Sequence, residues 1–144
     1  MDCSSLIHLK TNDRDRSPEA NMNLIYVFIG GGLGSVLRYL ISLALLRYKF
    51  QFPWATLASN SLACLILGVV MGISLKGSMD PNAKLILMVG ICGGLSTFSS
   101  FSGESLSLMM NGKPSFAFLN IGLSLLICFL STFGGMKIGL QFYE

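Results

Sequence analysis

The sequence predicts an all-α membrane protein with four transmembrane helices, the third of them broken, forming an antiparallel dual-topology homodimer. Three observations carry this. Charged residues make up only 12% of the 144 positions and hydrophobic ones 52%, with a mean hydropathy of +0.66, whereas a soluble domain carries about 25% charge. Seven of the 17 charges fall in the first 20 residues, and the rest of the chain is a series of apolar runs long enough to cross a bilayer. The third run is interrupted by glycines and hydroxyls that a lipid-facing helix does not need.

The same composition excludes disorder, collagen and a disulfide scaffold. A net charge of +3, scattered along the chain, is too small for a nucleic-acid reader. One histidine, His8, and few carboxylates leave little acid–base or metal chemistry. Cys3, Cys64, Cys92 and Cys128 form no C-x-x-C pair, and the last three lie in apolar runs. They are expected to be reduced and to act as small apolar residues.

Residues 1–21 are polar, of mixed charge and without a helical apolar period. They do not form a signal peptide and are expected to be disordered or untranslated, with Met22 as the natural start of a four-helix transmembrane domain over 22–144. The first span runs over about 24–46 and closes at Arg47-Tyr48-Lys49. The second follows Pro53 over about 54–75. The third covers about 84–110 and stops at Asn111-Gly112-Lys113-Pro114, and the fourth covers about 115–136. Short connections make the four helices one compact unit.

Counted from Met22, Lys76, Lys84 and Lys137 fall on one side of the membrane, and Arg47, Lys49 and Lys113 on the other. A balance of three against three gives no positive-inside preference. Such a chain is expected to insert both ways.

Polar groups inside spans face a bundle interior or a water-filled path. In the first span, Gly30, Gly31, Gly32 and Gly34 allow close helix approach. Arg38, more than a turn inside, either snorkels or sets a positive potential at a vestibule. The second span carries Thr56, Asn60, Cys64, Gly68 and Gly72 at intervals of four, one helix face. The Asn60 amide either bonds a neighbouring helix or donates into a solvated path. The third span reads Gly90-Ile91-Cys92-Gly93-Gly94-Leu95-Ser96-Thr97-Phe98-Ser99-Ser100-Phe101-Ser102-Gly103-Glu104. Gly93-Gly94 before a hydroxyl cluster suggests a helix break with freed carbonyls. Phe98 and Phe101, amid hydroxyls, either pack or present positive ring edges to an anion. Glu104 has Arg38 or a hydroxyl cluster as its expected partner. In the fourth span Asn120, Ser124 and Cys128 repeat the spacing of four, lining a path or bonding between helices.

Three of these segments resemble the Fluc fluoride channels, also called the CrcB family. They are Gly31-Gly32-Leu33-Gly34-Ser35-Val36-Leu37-Arg38-Tyr39, Pro53-Trp54-Ala55-Thr56-Leu57-Ala58-Ser59-Asn60, and Gly90 to Glu104. The departures are Ala55 and Ala63 for glycine, and Ser96 and Ser100 for threonine. The resemblance implies an antiparallel dimer in the cell inner membrane with two pores, exporting fluoride passively and lowering its cytoplasmic concentration. It further implies a structural sodium ion on backbone carbonyls of Gly93 and Ser96, and a fluoride path formed by Asn60, Phe98, Phe101, Ser99, Ser100, Asn120 and Ser124. Arg38 and Glu104 would serve the vestibule. A small dual-topology multidrug transporter is the alternative, but its first span would need an exchangeable carboxylate that this one lacks. With no Cys/His, Ser/His or metal-ligand constellation, no enzyme is expected.

Overall fold

The computed structural model describes residues 16–46, 51–77 and 79–141; Cys3, His8 and most of the polar N-terminal segment lie outside them. All regular structure among the described residues is helical. Helix α1 spans Arg16–Leu46 and α2 spans Trp54–Leu75. Helix α3 is built from Pro81–Lys84, a π-helical stretch Leu85–Cys92, and Gly93–Leu95. Helix α4 spans Phe98–Met110 and α5 spans Pro114–Gln141. Four stretches are long and apolar enough to cross a membrane: Ala20–Leu46, Trp54–Leu75, Pro81–Met110 and Pro114–Gln141. The chain is therefore a four-span helical membrane protein whose third span is α3 and α4 in series. Helix α1 starts at Arg16, eight residues before the expected span, so residues 16–21 extend the helix instead of leading up to it.

Local chemistry sets the ends. Asp80 caps α3, its carboxylate accepting from the N–H groups of Asn82 at 2.9 Å and Ala83 at 3.1 Å, with Pro81 in the first turn. Helices α2 and α4 are followed by Gly77 and Gly112 at φ of 75° and 72°, the left-handed conformation that closes a helix at little cost for glycine. The Lys113 ammonium donates to the Gln51 side-chain oxygen at 3.0 Å, tying the first and third connections at one end of the bundle.

Lipid tails are as apolar as leucine, so helices in a bilayer associate through close backbone packing more than through hydrophobic burial. Two helix pairs do so by the same device. In α1 against α3, a Cβ on Gly30 would stand 2.5 Å from the Ile86 carbonyl oxygen, and one on Gly90 would stand 2.8 Å from the Gly30 Cα. Gly34 and Gly94 make the same kind of approach one turn on. In α2 against α5, Gly68 and Gly72 face Thr132 and Met136, while Gly135 and Gly139 face Leu65 and Val69. Each pair has glycines four apart on both helices. Outward-facing Phe28, Met110 and Phe129 remain exposed, as a lipid-facing surface requires.

Candidate functional site

The third span breaks at Ser96 and Thr97, both extended (ψ of 150° and 107°), between the end of α3 at Leu95 and the start of α4 at Phe98. Gly93 and Gly94 themselves stay helical, so the break lies just beyond the glycine pair that the sequence marked. Its cause is Asn60. The Asn60 Oδ1 accepts from the Thr97 N–H at 2.7 Å, and its Nδ2 donates to the Thr97 carbonyl at 3.4 Å. A side-chain amide thus takes the place of a backbone partner and satisfies Thr97 in both directions.

This clamp has consequences on both sides. An uninterrupted helix would send the Thr97 N–H to the Gly93 carbonyl; it goes to Asn60 instead. The Ser100 N–H, which would serve the Ser96 carbonyl, is taken at 3.2 Å by the Thr97 hydroxyl capping α4. Among the described residues no hydrogen bond reaches the carbonyl oxygens of Gly93 or Ser96. Both residues are exposed on the chain's outer face, and open space surrounds the Gly93 Cα. The Gly94 carbonyl is instead capped by Arg38, whose Nε donates to it at 3.1 Å. A cation at a helix C-terminus is electrostatically well placed.

Two cavities meet at Thr97. One, of about 300 Å³, is walled by Arg38, Ser42, Thr56, Ser59, Ser100 and Glu104 with Phe52 and Trp54 nearby. Within it the Thr56 hydroxyl donates to Glu104 Oε1 at 2.7 Å. Glu104 is therefore held by a hydroxyl and not by Arg38, and its buried Oε2 has no hydrogen-bond partner among the described residues. The other cavity, of about 410 Å³ and mostly apolar, is walled by Asn60, Ser96, Phe98, Phe101 and Ser124, with Cys64, Cys128 and Thr132. The Phe98 and Phe101 rings lie 5.7 Å apart at 45°. Phe98 is 79% exposed, so its ring projects off the chain toward lipid or another molecule.

The remaining sequence-marked positions divide. The Ser99 hydroxyl meets the Thr97 hydroxyl at 3.3 Å and lines neither cavity. Ser100 bonds Thr97 at 3.0 Å and belongs to the Arg38 cavity. Asn120 is fully buried off both cavities. It donates to Ser105 at 2.9 Å and accepts from Ser124 at 3.4 Å, while Ser105 donates to the Phe101 carbonyl at 2.8 Å. Asn120 therefore ties the α4 backbone at Phe101 to Ser124 in the cavity wall. Sequence reasoning missed Ser105 and the capping role of Thr97; only the S/T-before-helix pattern at Thr97 could have signalled the latter.

A helical protein with four spans, a discontinuous third span and two cavities meeting at its break is a multi-pass integral membrane protein. More specifically, the chain belongs to the CrcB family: the family model described as "CrcB-like protein, Camphor Resistance (CrcB)" matches residues 25–136. A Flavobacterium psychrophilum protein named fluoride-specific ion channel FluC is 39% identical over 117 residues, 80% of this chain and 94% of that one. FluC of Phocaeicola vulgatus is 43% identical over 102 residues, covering 69% and 84%. That of Bacteroides fragilis is 38% identical over 123 residues, covering 83% and 97%.

Proposed function

We propose that this chain is a fluoride-specific channel that lowers cytoplasmic fluoride by passive export across the plasma membrane, with no enzymatic step. The observation that carries the reading is the Asn60–Thr97 clamp, joined to relatives named for fluoride conduction. Fluoride leaves water only where other donors replace its hydration shell. A fixed cation deep in the path would bind it too tightly to release. Arg38, at the mouth, raises the local anion concentration. Further in, the donors are neutral: the second Asn60 N–H and the Ser100 hydroxyl, which accepts from Thr97 and keeps its own proton. The edges of Phe98 and Phe101 add positive quadrupole potential in the larger cavity, where the Thr97, Ser124 and Thr132 hydroxyls donate to other groups of the chain. Purified and reconstituted in liposomes, the protein is expected to release fluoride, with no measurable chloride efflux, on ion-selective electrodes. Equal efflux of both anions, or none from folded protein, would refute the reading.

The reading includes an antiparallel homodimer with a structural sodium ion. Phe98, Gly93 and Ser96 are exposed on the chain's surface, where a second copy would supply the missing wall. Neutral carbonyl oxygens without N–H donors suit a hard monovalent cation, and Gly93 and Ser96 would hold it together with the same pair from the second copy. The ion would supply only charge to those carbonyl dipoles. Exchanging sodium for N-methylglucamine during purification is expected to convert dimer to monomer by light scattering; identical populations in both salts would count against the ion.

A further inference from the structure

Cys64 and Cys128 belong to the wall of the larger cavity, and the proposed conduction does not use them. Cys64 lies one turn beyond Asn60 on α2, and Cys128 one turn beyond Ser124 on α5, so each helix brings one thiol to the cavity wall. Just past them the glycine contacts of Gly68 with Thr132 and of Gly135 with Leu65 hold the two helices at close approach. Both thiols therefore line one cavity, one from each of the two closely packed helices. Both are free and half-buried, whereas Cys92 is fully buried and off the cavity wall.

We propose that Cys64 and Cys128 form a two-thiol site for a soft, thiophilic cation of the Hg(II), Ag(I) or Cu(I) type, and that its occupation closes the cavity beside Asn60. Thiolate sulfur selects soft metals over the hard cations abundant around the membrane. Among the described residues no group of three or more His, Cys, Asp or Glu is placed to hold a metal, which disfavours tetrahedral zinc. The linear coordination that soft d¹⁰ cations accept needs only a facing pair. With mercuric chloride, two S–H and two Hg–Cl bonds break, two S–Hg bonds form, and two protons and two chloride ions are released, with no change of oxidation state. Neutral mercuric chloride can reach the pair through the apolar cavity.

The site itself is tested on the unmutated full chain, purified in detergent, with one equivalent of mercuric chloride. Native labelling with N-ethylmaleimide, mapped by peptide mass spectrometry, is expected to show Cys64 and Cys128 protected together. Protection of Cys3 or Cys92 instead, or of neither member of the pair, overturns the proposal. Cys64→Ser and Cys128→Ser are each expected to lose the tightly bound mercury that Cys3→Ser and Cys92→Ser retain after desalting. The closing effect rests on the fluoride reading and is measured separately. Fluoride efflux from liposomes is expected to fall at least tenfold with mercuric chloride and to recover with excess dithiothreitol. Unchanged efflux with both thiols protected refutes the closure. Absence of efflux before mercury refutes conduction, while the labelling map still decides the site.

Discussion

Asn60→Asp is expected to abolish most fluoride efflux while leaving a folded protein. The substitution keeps the shape of the side chain and its Oδ1, so the 2.7 Å bond from the Thr97 N–H survives. It replaces the Nδ2 donor, whose bond to the Thr97 carbonyl is long at 3.4 Å, with an acceptor. That removes the N–H facing the cavity and places a carboxylate where an anion must pass. Raising the barrier by about 1.4 kcal/mol costs roughly tenfold in rate, and loss of a donor plus charge repulsion exceeds that. Asn60→Leu is the harsher comparison. It strips both partners from Thr97, and each buried group left unsatisfied costs about 1–3 kcal/mol. The Leu variant should therefore lose the most thermal stability as well as flux, whereas the Asp variant, which keeps the bond from the Thr97 N–H, should lose less. Fluoride efflux and a detergent melting curve on both variants check this. Parent-level flux in Asn60→Asp would confine Asn60 to holding the break.

The difference between those two variants reflects what a sequence can and cannot show. The four spans were legible because length and apolarity are local properties. The glycine spacing in the first and second spans was legible as packing for the same reason. The break was legible only to within three residues. Gly93-Gly94 looks like the weak point, yet Gly94 serves close approach to Gly31 and remains helical. What opens the helix at Thr97 is an amide 37 residues earlier in the chain, a tertiary competition that no local propensity encodes. Asn120 illustrates the converse. A polar residue every four positions along α5 fits both a path and a helix–helix bond, and only the position of Ser105 on α4 decides it: Asn120 is bonded and buried. The start of α1 escaped for another reason. Once a helix exists, adding polar residues to its end is cheap, so it extends to Arg16 without an apolar period.

Phe98→Ile and Phe101→Ile are expected to purify like the parent and to lose most fluoride flux, each on its own. Folding should tolerate both. The Phe98 side chain is largely outside the chain's own packing, and volume-conserving apolar swaps cost less than about 1.5 kcal/mol even in packed sites. The Phe101 backbone is also held independently of its ring, through the Ser105 hydroxyl on its carbonyl and the Asn120 amide behind it. What isoleucine cannot supply is the ring's quadrupole. An aliphatic side chain offers fluoride no positive edge, and the Thr97, Ser124 and Thr132 hydroxyls of the larger cavity already donate within the chain. If each ring edge is worth about 1.4 kcal/mol to the ion at the barrier, each variant falls roughly tenfold. The two rings are 5.7 Å apart and adjoin one cavity, so their effects should not simply add in the double variant. Phe98→Tyr and Phe101→Tyr complete the test, since they keep an aromatic edge and should retain more flux than isoleucine. Efflux at the parent level in both isoleucine variants would assign the rings to packing and leave Asn60 and the hydroxyls as the groups that solvate the ion.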